Sequence, residues 1–395
     1  MFFDRLINRL LKNKSLVKFT ILFCSMMTVM AGATIAPSLP EMTKAFSHNP
    51  SAETLVKLIL TIPGLFIGLT SPFSGWIIDK FGRIKLLVSM LFLYALAGSS
   101  GLYLNSLLEI IVGRSLLGIA VGGIMTTAIA LIGDYFEGEE RQKFLGTQAG
   151  VMALSGTIFI SFGGFLADIS WRYPFAIYLM ALVAIPFVII YLKEPARTVS
   201  KPPQKGATIP KMAWTVYLIS FLGMVVFYLM PVQVPFLMKE IAEVGNTETG
   251  VAISGVMLVG GIMSFQYPKL KKRLTHYQIY GLTFLFMGIG YWLISNANSY
   301  AMTFPGLLIS GLGAGLLMPN SNLCLVTLAS AENRGKVLGF LTTFIFLGQF
   351  ASPLFFQPLV NATSIKGAFL YLAVGLVVIS IISLIRNRRL VKASA

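Results

Sequence analysis

The sequence predicts an all-α polytopic membrane protein, with twelve transmembrane helices in two pseudo-symmetric six-helix bundles. Three observations carry the prediction: twelve apolar runs of bilayer length, basic residues gathered into alternate gaps, and an internal repeat. A hydrocarbon core about 30 Å thick takes about 20 helical residues to cross. The apolar runs fall at 16–38, 54–78, 84–104, 107–132, 144–167, 173–192, 212–238, 249–267, 277–296, 300–328, 337–359 and 367–385. Lipid offers no partner to a free N–H or C=O, so only helices or a closed barrel can span it. A barrel would show shorter, alternating segments.

Composition narrows the function classes. Of 395 residues, 56% are hydrophobic and 12% charged, with mean hydropathy +0.79, which leaves little chain for a soluble catalytic domain. A net charge of +16 would suit nucleic acid if it formed one patch. Instead, all 31 Lys and Arg except Lys44, Lys57, Arg114, Arg172, Lys239 and Lys366 lie in the N-terminal segment, the C-terminal tail or every second loop. That is the positive-inside pattern, which argues against a nucleic-acid partner and predicts cytoplasmic termini and an even number of spans. Cys24 and Cys324 fall within spans, and His48 and His276 in loops. Neither a disulfide framework nor a metal centre is expected, and no cofactor. No nucleotide-binding motif is present, so ATP is not expected as a direct energy source.

Each element has a local reason. The first run follows basic residues and passes Ala31-Gly32-Ala33, as a secretory signal would, but eleven further spans make it an uncleaved helix. Span two opens after Ser51, with Glu53 where a carboxylate complements a helix N-terminus. Gly118 and Gly122 in span four, and Gly146 and Gly150 in span five, are small-xxx-small spacings that let helices approach. The interval 193–211 contains Pro195, Pro202, Pro203, Gly206 and five Lys or Arg, the composition of a linker. It divides the chain into a first bundle, 1–192, and a second, 212–395. The second repeats the first at an offset of roughly 194 residues. Pro37 answers Pro231, Glu53 answers Glu248, Gly118 and Gly122 answer Gly311 and Gly315, and Arg141–Gly146 answers Arg334–Gly339. Six is even, so the halves share an orientation about an axis along the membrane normal. That symmetry places a transported solute between them, near the midplane.

The loop after span two reads Gly75-Trp76-Ile77-Ile78-Asp79-Lys80-Phe81-Gly82-Arg83-Ile84-Lys85, and span four carries Arg114, Gly118, Gly122 and Gly123. Span five has Ser155, Phe159, Ile160, Gly163 and Gly164, and span eleven Gly339, Gly348, Ser352 and Pro353. With Pro37-Ser38-Leu39-Pro40-Glu41, Trp171-Arg172-Tyr173-Pro174-Phe175 and Lys193-Glu194-Pro195, the chain resembles the major facilitator superfamily over essentially its whole length. Within it, the chain looks like the twelve-span drug:proton antiporters, although Phe159-Ile160 stands where those carry Gly-Pro. The resemblance implies the superfamily (MFS) fold, alternating access and a gate of Gly75, Asp79, Gly82, Arg83 and Asp134. In that gate Arg83 pairs with Asp134, and Asp79 faces the start of span eleven near Gly335–Leu338. The latch is expected to hold the outward-facing state and to break in the inward-facing one. Its repeat partner, Tyr267 to Arg273, lacks the acid and the glycines.

No acid lies deep in a span. Glu41, just past Pro40 and expected within reach of Arg114, is the first proton-coupling candidate, Glu109 the second, and Arg114 their basic counterpart. An intramembrane Arg costs at least about 2.5 kcal/mol unless compensated, so Arg114 is also a substrate-binding candidate; the alternative is an Arg held by the carbonyl end of span one for packing. Thr28, Thr34, Thr126, Thr127, Gln148, Tyr228, Gln233, Asn320, Asn322 and Gln349 supply neutral polar contacts. Arg114 and Lys57, nearest the midplane, are expected to disfavour simple organic cations and favour anionic, zwitterionic or neutral amphiphiles. The reading is a monomeric, proton-coupled exporter of small amphiphilic molecules in a bacterial cell membrane, with no catalytic residues. Alternatives are a dedicated exporter of one endogenous siderophore, lipid or sugar derivative, a lipid-modifying membrane enzyme, or a receptor of the same fold.

Overall fold

The computed structural model describes residues 14–195, 209–330 and 333–393; at 72, 74–77, 79, 242 and 386–393 the description extends to the backbone alone. Most of the expected linker therefore lies outside the described residues. Twelve helical segments are long and apolar enough to cross a bilayer, from Lys14–Ala45 to Ile365–Ile385. No strand occurs among the described residues.

Two spans are broken. Span one runs as a helix over Lys14–Ala33, a 3-10 turn over Ala36–Ser38 and a second helix over Leu39–Ala45, longer than the expected 16–38. Pro37 and Pro40 sit in the first turns of these short pieces, where no N–H is required, so the chain bends and resumes instead of stopping. Span seven breaks at Tyr228, between helices Lys211–Phe227 and Leu229–Ala242.

The repeat is visible in the packing. A Cβ on Gly118 would lie 2.5 Å from the Pro63 carbonyl oxygen of span two, and one on Gly311 would lie 2.8 Å from the Val256 oxygen of span eight. Likewise, Gly122 abuts Thr70 and Gly315 abuts Gly260. Gly146 does not follow its expected packing role: nothing stands within 4 Å of a Cβ there.

The bundles meet through spans two and eleven, five and eight, and one with seven and eight. We use basic end for the end carrying the Lys- and Arg-rich loops, and far end for the opposite one. Backbones of the two bundles come close at the far end, where a Cβ on Gly164 of span five would be 2.4 Å from the Asn246 oxygen of span eight. At the basic end, a Cβ on Gly335 or Gly339 meets nothing within 4 Å, and Arg141, Lys143, Arg334 and Lys336 are exposed. The described residues are therefore closed at the far end and parted at the basic end. Because backbone blocks backbone at Gly164, Gly164→Val should keep the far end from closing. Cysteine cross-linking between spans five and eight at that end is expected to fall several-fold, while membrane abundance holds.

Candidate functional site

A cavity of about 210 Å³ lies between the bundles at the level of the two broken spans. Thr28, Gly32, Pro63, Met125 and Met152 line it from the first half, and Phe227, Tyr228, Met257, Phe346 and Gln349 from the second. No lining side chain is charged. The polar lining groups are Tyr228, Gln349 and Thr28, whose hydroxyl donates to the Ser25 oxygen of its own helix (2.7 Å) and can only accept from a solute; the remainder is apolar or sulfur-bearing, a surface that adapts to varied greasy shapes.

Arg114 sits behind this cavity and is fully buried. Pro63 has no N–H, so the carbonyl of Ile59, four residues earlier, has no helical donor. Span one stops at Ala33, which leaves its last carbonyls equally open. Arg114 serves both helices: Nε donates to the Ile59 oxygen (3.0 Å) and Nη2 to the Ala31 oxygen (2.7 Å). Its guanidinium lies 5.2 Å from the centre of the Tyr178 ring, and Nη1 has no hydrogen-bond partner among the described residues. The expected approach of Glu41 to Arg114 is not found. Glu41 pairs with Lys44 (3.5 Å) and with Lys239 of span seven (3.2 Å), because the helix beyond Pro40 carries it out to the far end.

Among the described residues, three charged clusters join the bundles at the far end, beside a Ser161–Ser254 hydrogen bond (2.9 Å) between spans five and eight. The first is Glu41–Lys239. In the second, Lys57 of span two, fully buried, donates to Glu53, to Gln233 of span seven (3.0 Å) and to Gln357 of span eleven (2.7 Å). Its ammonium also lies 4.4 Å from the Phe236 ring centre, and Gln357 Nε2 donates to Glu53 (3.1 Å). In the third, Asp168 at the end of span five accepts from the backbone N–H groups of Asn246 (2.8 Å) and Thr247 (3.1 Å) and from the Thr247 hydroxyl. A carboxylate thus caps the first turn of span eight from the opposite bundle. Lys57 is therefore neutralised by Glu53 and lends the cavity no net charge, contrary to the sequence expectation.

At the basic end, Arg83 Nε donates to Asp134 Oδ2 (2.7 Å). Glu194 accepts from the backbone N–H groups of Arg83 (2.7 Å) and Ile84 (2.9 Å), capping span three. Tyr135 hydrogen-bonds the Lys193 backbone. All these groups belong to the first half, and they are joined while this end is parted. The Arg83–Asp134 pair ties spans three and four together and does not itself bridge the bundles. Gly75 and Asp79 are described in their backbone alone. Gly82 turns the chain at φ +89°, and a Cβ there would lie 3.0 Å from the Glu194 carboxylate. Gly82→Ala combines a left-handed strain of about 1 kcal/mol or more with that clash. A lowered melting temperature in detergent is expected, whereas Lys85→Ala, on the exposed side of the same turn, should change nothing.

Several expected substrate contacts lie elsewhere. Thr34 donates to the Met30 oxygen and Thr126 to the Gly122 oxygen; each is absorbed by its own helix. Gln148 donates to Ser25 of span one (2.8 Å), and Gln233 belongs to the Lys57 cluster. Asn320 bonds His276 and Tyr267 within the second bundle, and Asn322 donates to the Met318 oxygen. Thr127 is fully buried and outside the cavity lining. Glu109 is exposed in the first turn of its helix. Gln357, Asp168 and Lys239 were missed; the signal available for them was their position at span ends that the repeat makes equivalent.

Twelve spans, two like-oriented bundles and a shared central cavity define a membrane transport protein rather than an enzyme. The Major Facilitator Superfamily model matches residues 21–274 and 214–394, and the chain belongs to that family. It is 24% identical over 84% of its length to the "Bacillibactin exporter" of Bacillus subtilis (strain 168), covering 87% of that protein. It is also 24% identical over 80% of its length to the "Multi-drug resistance efflux pump PmrA" of Streptococcus pneumoniae, covering 80% of it. A 33% match to the "Multidrug transporter protein MdtP" of Bacillus subtilis (strain 168) covers 30% of this chain but only 22% of that relative. Among solved structures, a bacterial homolog of the human lysosomal transporter Spinster, inward-facing and occupied, aligns at TM-score 0.77 and 16% identity over 95% of this chain and 97% of that one. The D-xylose-proton symporter aligns at TM-score 0.75 and 14% identity, covering 93% and 96%. At these identities the structural likeness concerns the fold.

Proposed function

We propose that the protein is a secondary active exporter that moves small amphiphilic molecules out of the cell by alternating access, coupled to protons. In this reading the basic end faces the cytoplasm, and the arrangement of the two ends is the inward-open half of the cycle. The observation that carries it is the uncharged cavity to which both halves contribute at the breaks of spans one and seven. Its lining suits neutral amphiphiles. The one charge close behind it, Arg114, favours a solute with an anionic or zwitterionic end over a simple cation. Among the acids, Glu41 is the better placed proton site, because its pairing with Lys239 joins the bundles; Glu109 faces solvent. A relative named as a multi-drug resistance efflux pump and another named as a quinolone resistance protein support broad efflux. The relative named as a bacillibactin exporter supports the second reading, export of one endogenous amphiphile.

Solute-driven pH change in proteoliposomes, run over a panel of neutral, anionic and cationic amphiphiles, tests the proposal. Proton movement with neutral and anionic members is the expected result. Efficient proton-linked movement of lipophilic cations alone, unaffected by Arg114→Ala, would overturn the charge preference. Turnover without proton movement would overturn the coupling. Drug resistance in a pump-deficient host separates broad efflux from a single retained metabolite.

A further inference from the structure

The two loops that answer each other across the repeat are electrostatically unlike. Around the loop after span two, Asp134 pairs with Arg83 and Glu194 caps the start of span three. Around the loop after span eight stand Lys269, Lys271, Lys272 and Arg273, and between Glu248 and Glu332 the sequence contains no Asp or Glu. Lys271 folds onto the Leu274 oxygen (3.3 Å); none of the other three has a carboxylate partner among the described residues.

These cations are not on a loose segment. Arg273 and Leu274 both donate backbone N–H groups to the Leu270 oxygen. A reciprocal Thr275–Gln278 capping box then fixes the start of span nine. Like charges are held close together by an ordered turn, which costs free energy unless an external anion joins them.

A cavity of about 540 Å³ lies among them, lined by Met263, Gln266, Lys269, Leu270, Lys272 and Arg273. Its floor is prebuilt: Met263 and Leu270 pack on the small core of Tyr267, Ile279 and Leu316. Its direction can be read from span eight. Val251, Leu258 and Ile262 are exposed apolar residues spaced seven and four apart, one stripe of a helix turned to the hydrocarbon. Continued by the same spacings, that stripe runs into Gln266 and Lys269, and Arg273 follows in the turn just past the helix end. Lys269 follows Ile262 by about 10 Å of helix rise, the depth at which hydrocarbon gives way to headgroups.

The geometry points to a phospholipid site at the basic end of span eight. It takes the phosphodiester of a net-negative lipid of the phosphatidylglycerol type among Lys269, Lys272 and Arg273, with the glycerol and upper acyl carbons on Met263 and Leu270. A zwitterionic lipid brings its own ammonium toward three cations and is disfavoured.

The test uses full-length purified protein, delipidated and offered equal amounts of phosphatidylglycerol and phosphatidylethanolamine, with bound lipid counted by native mass spectrometry. Phosphatidylglycerol is expected to be retained on the order of tenfold over phosphatidylethanolamine, with the preference falling as salt is raised. Lys269→Gln/Lys272→Gln/Arg273→Gln should abolish it. The equal-charge control Lys85→Gln/Lys143→Gln/Lys211→Gln, at exposed basic-end lysines elsewhere, should keep it. Equal binding of the two lipids by the parent protein, equal loss in both triple variants, or displacement of the lipid by millimolar inorganic phosphate would each overturn the assignment.

Discussion

Lys57→Met is expected to open the far end of the molecule. Methionine keeps the length of the side chain and its contact with the Phe236 ring, but removes the only donor shared by Glu53, Gln233 and Gln357. The two glutamines can still bond each other, at 3.3 Å, and Glu53 is 47% exposed, so the acid is not stranded in a dry interior. The full penalty for breaking a buried pair therefore does not apply. A loss of about 1–3 kcal/mol remains, which moves the equilibrium between the two ends about 5- to 150-fold toward far-end opening. With Cys24 and Cys324 replaced by serine, a single cysteine at Thr28 reports on the central cavity. Its labelling by an impermeant maleimide from the far-end side is expected to rise at least tenfold in Lys57→Met. An unchanged rate would mean that Lys57 does not hold the bundles together.

Arg114→Ala is expected to cause the largest loss of stability of any single substitution considered. Two buried carbonyls, at Ile59 and Ala31, would lose their donors at about 1–3 kcal/mol each, and the space of a fully buried arginine would be emptied beside Tyr178. Lysine, one point charge on a flexible stem, cannot reproduce a fork that bonds two helices in different directions, so Arg114→Lys should rescue little stability. Pro63 makes the mechanism testable. Pro63→Ala restores an N–H to the Ile59 carbonyl, so the double variant Pro63→Ala/Arg114→Ala should lose less than the two single losses combined. A coupling of at least about 1 kcal/mol is expected from thermal or denaturant unfolding in detergent. Strict additivity would mean that the bond from Arg114 to the Ile59 carbonyl contributes nothing measurable.

The spans and the repeat were legible because bilayer physics writes them directly into hydropathy and basic-residue placement. The prolines near the breaks in spans one and seven were legible as part of that repeat, the breaks themselves only in the structure. Side-chain destinations were not. Gln233 and Gln349 are the same amide in adjoining spans, yet one enters the Lys57 cluster and the other the cavity. The difference is the rotation of each helix about its axis, which tertiary packing decides. Thr34 and Thr126 satisfy themselves on the preceding turn, an option every threonine in a helix has. Arg114 was given an acid as one partner and the carbonyl end of span one as the alternative. The Ala31 carbonyl is that alternative; the second partner, the Ile59 carbonyl, could have been found by counting four residues back from Pro63.

The central claim is that the two bundles rock about the shared cavity, closing one end as the other opens. Spin labels at the exposed positions Ser47 and Glu243 span the far end, and labels at Lys143 and Lys336 span the basic end. Pulsed dipolar distances from the two pairs, measured in lipid across a range of pH and with a transported solute, test the claim most directly. The account predicts reciprocal change, the far-end distance lengthening as the basic-end distance shortens. Two distances that stay fixed during demonstrated transport, or that lengthen together, would contradict it.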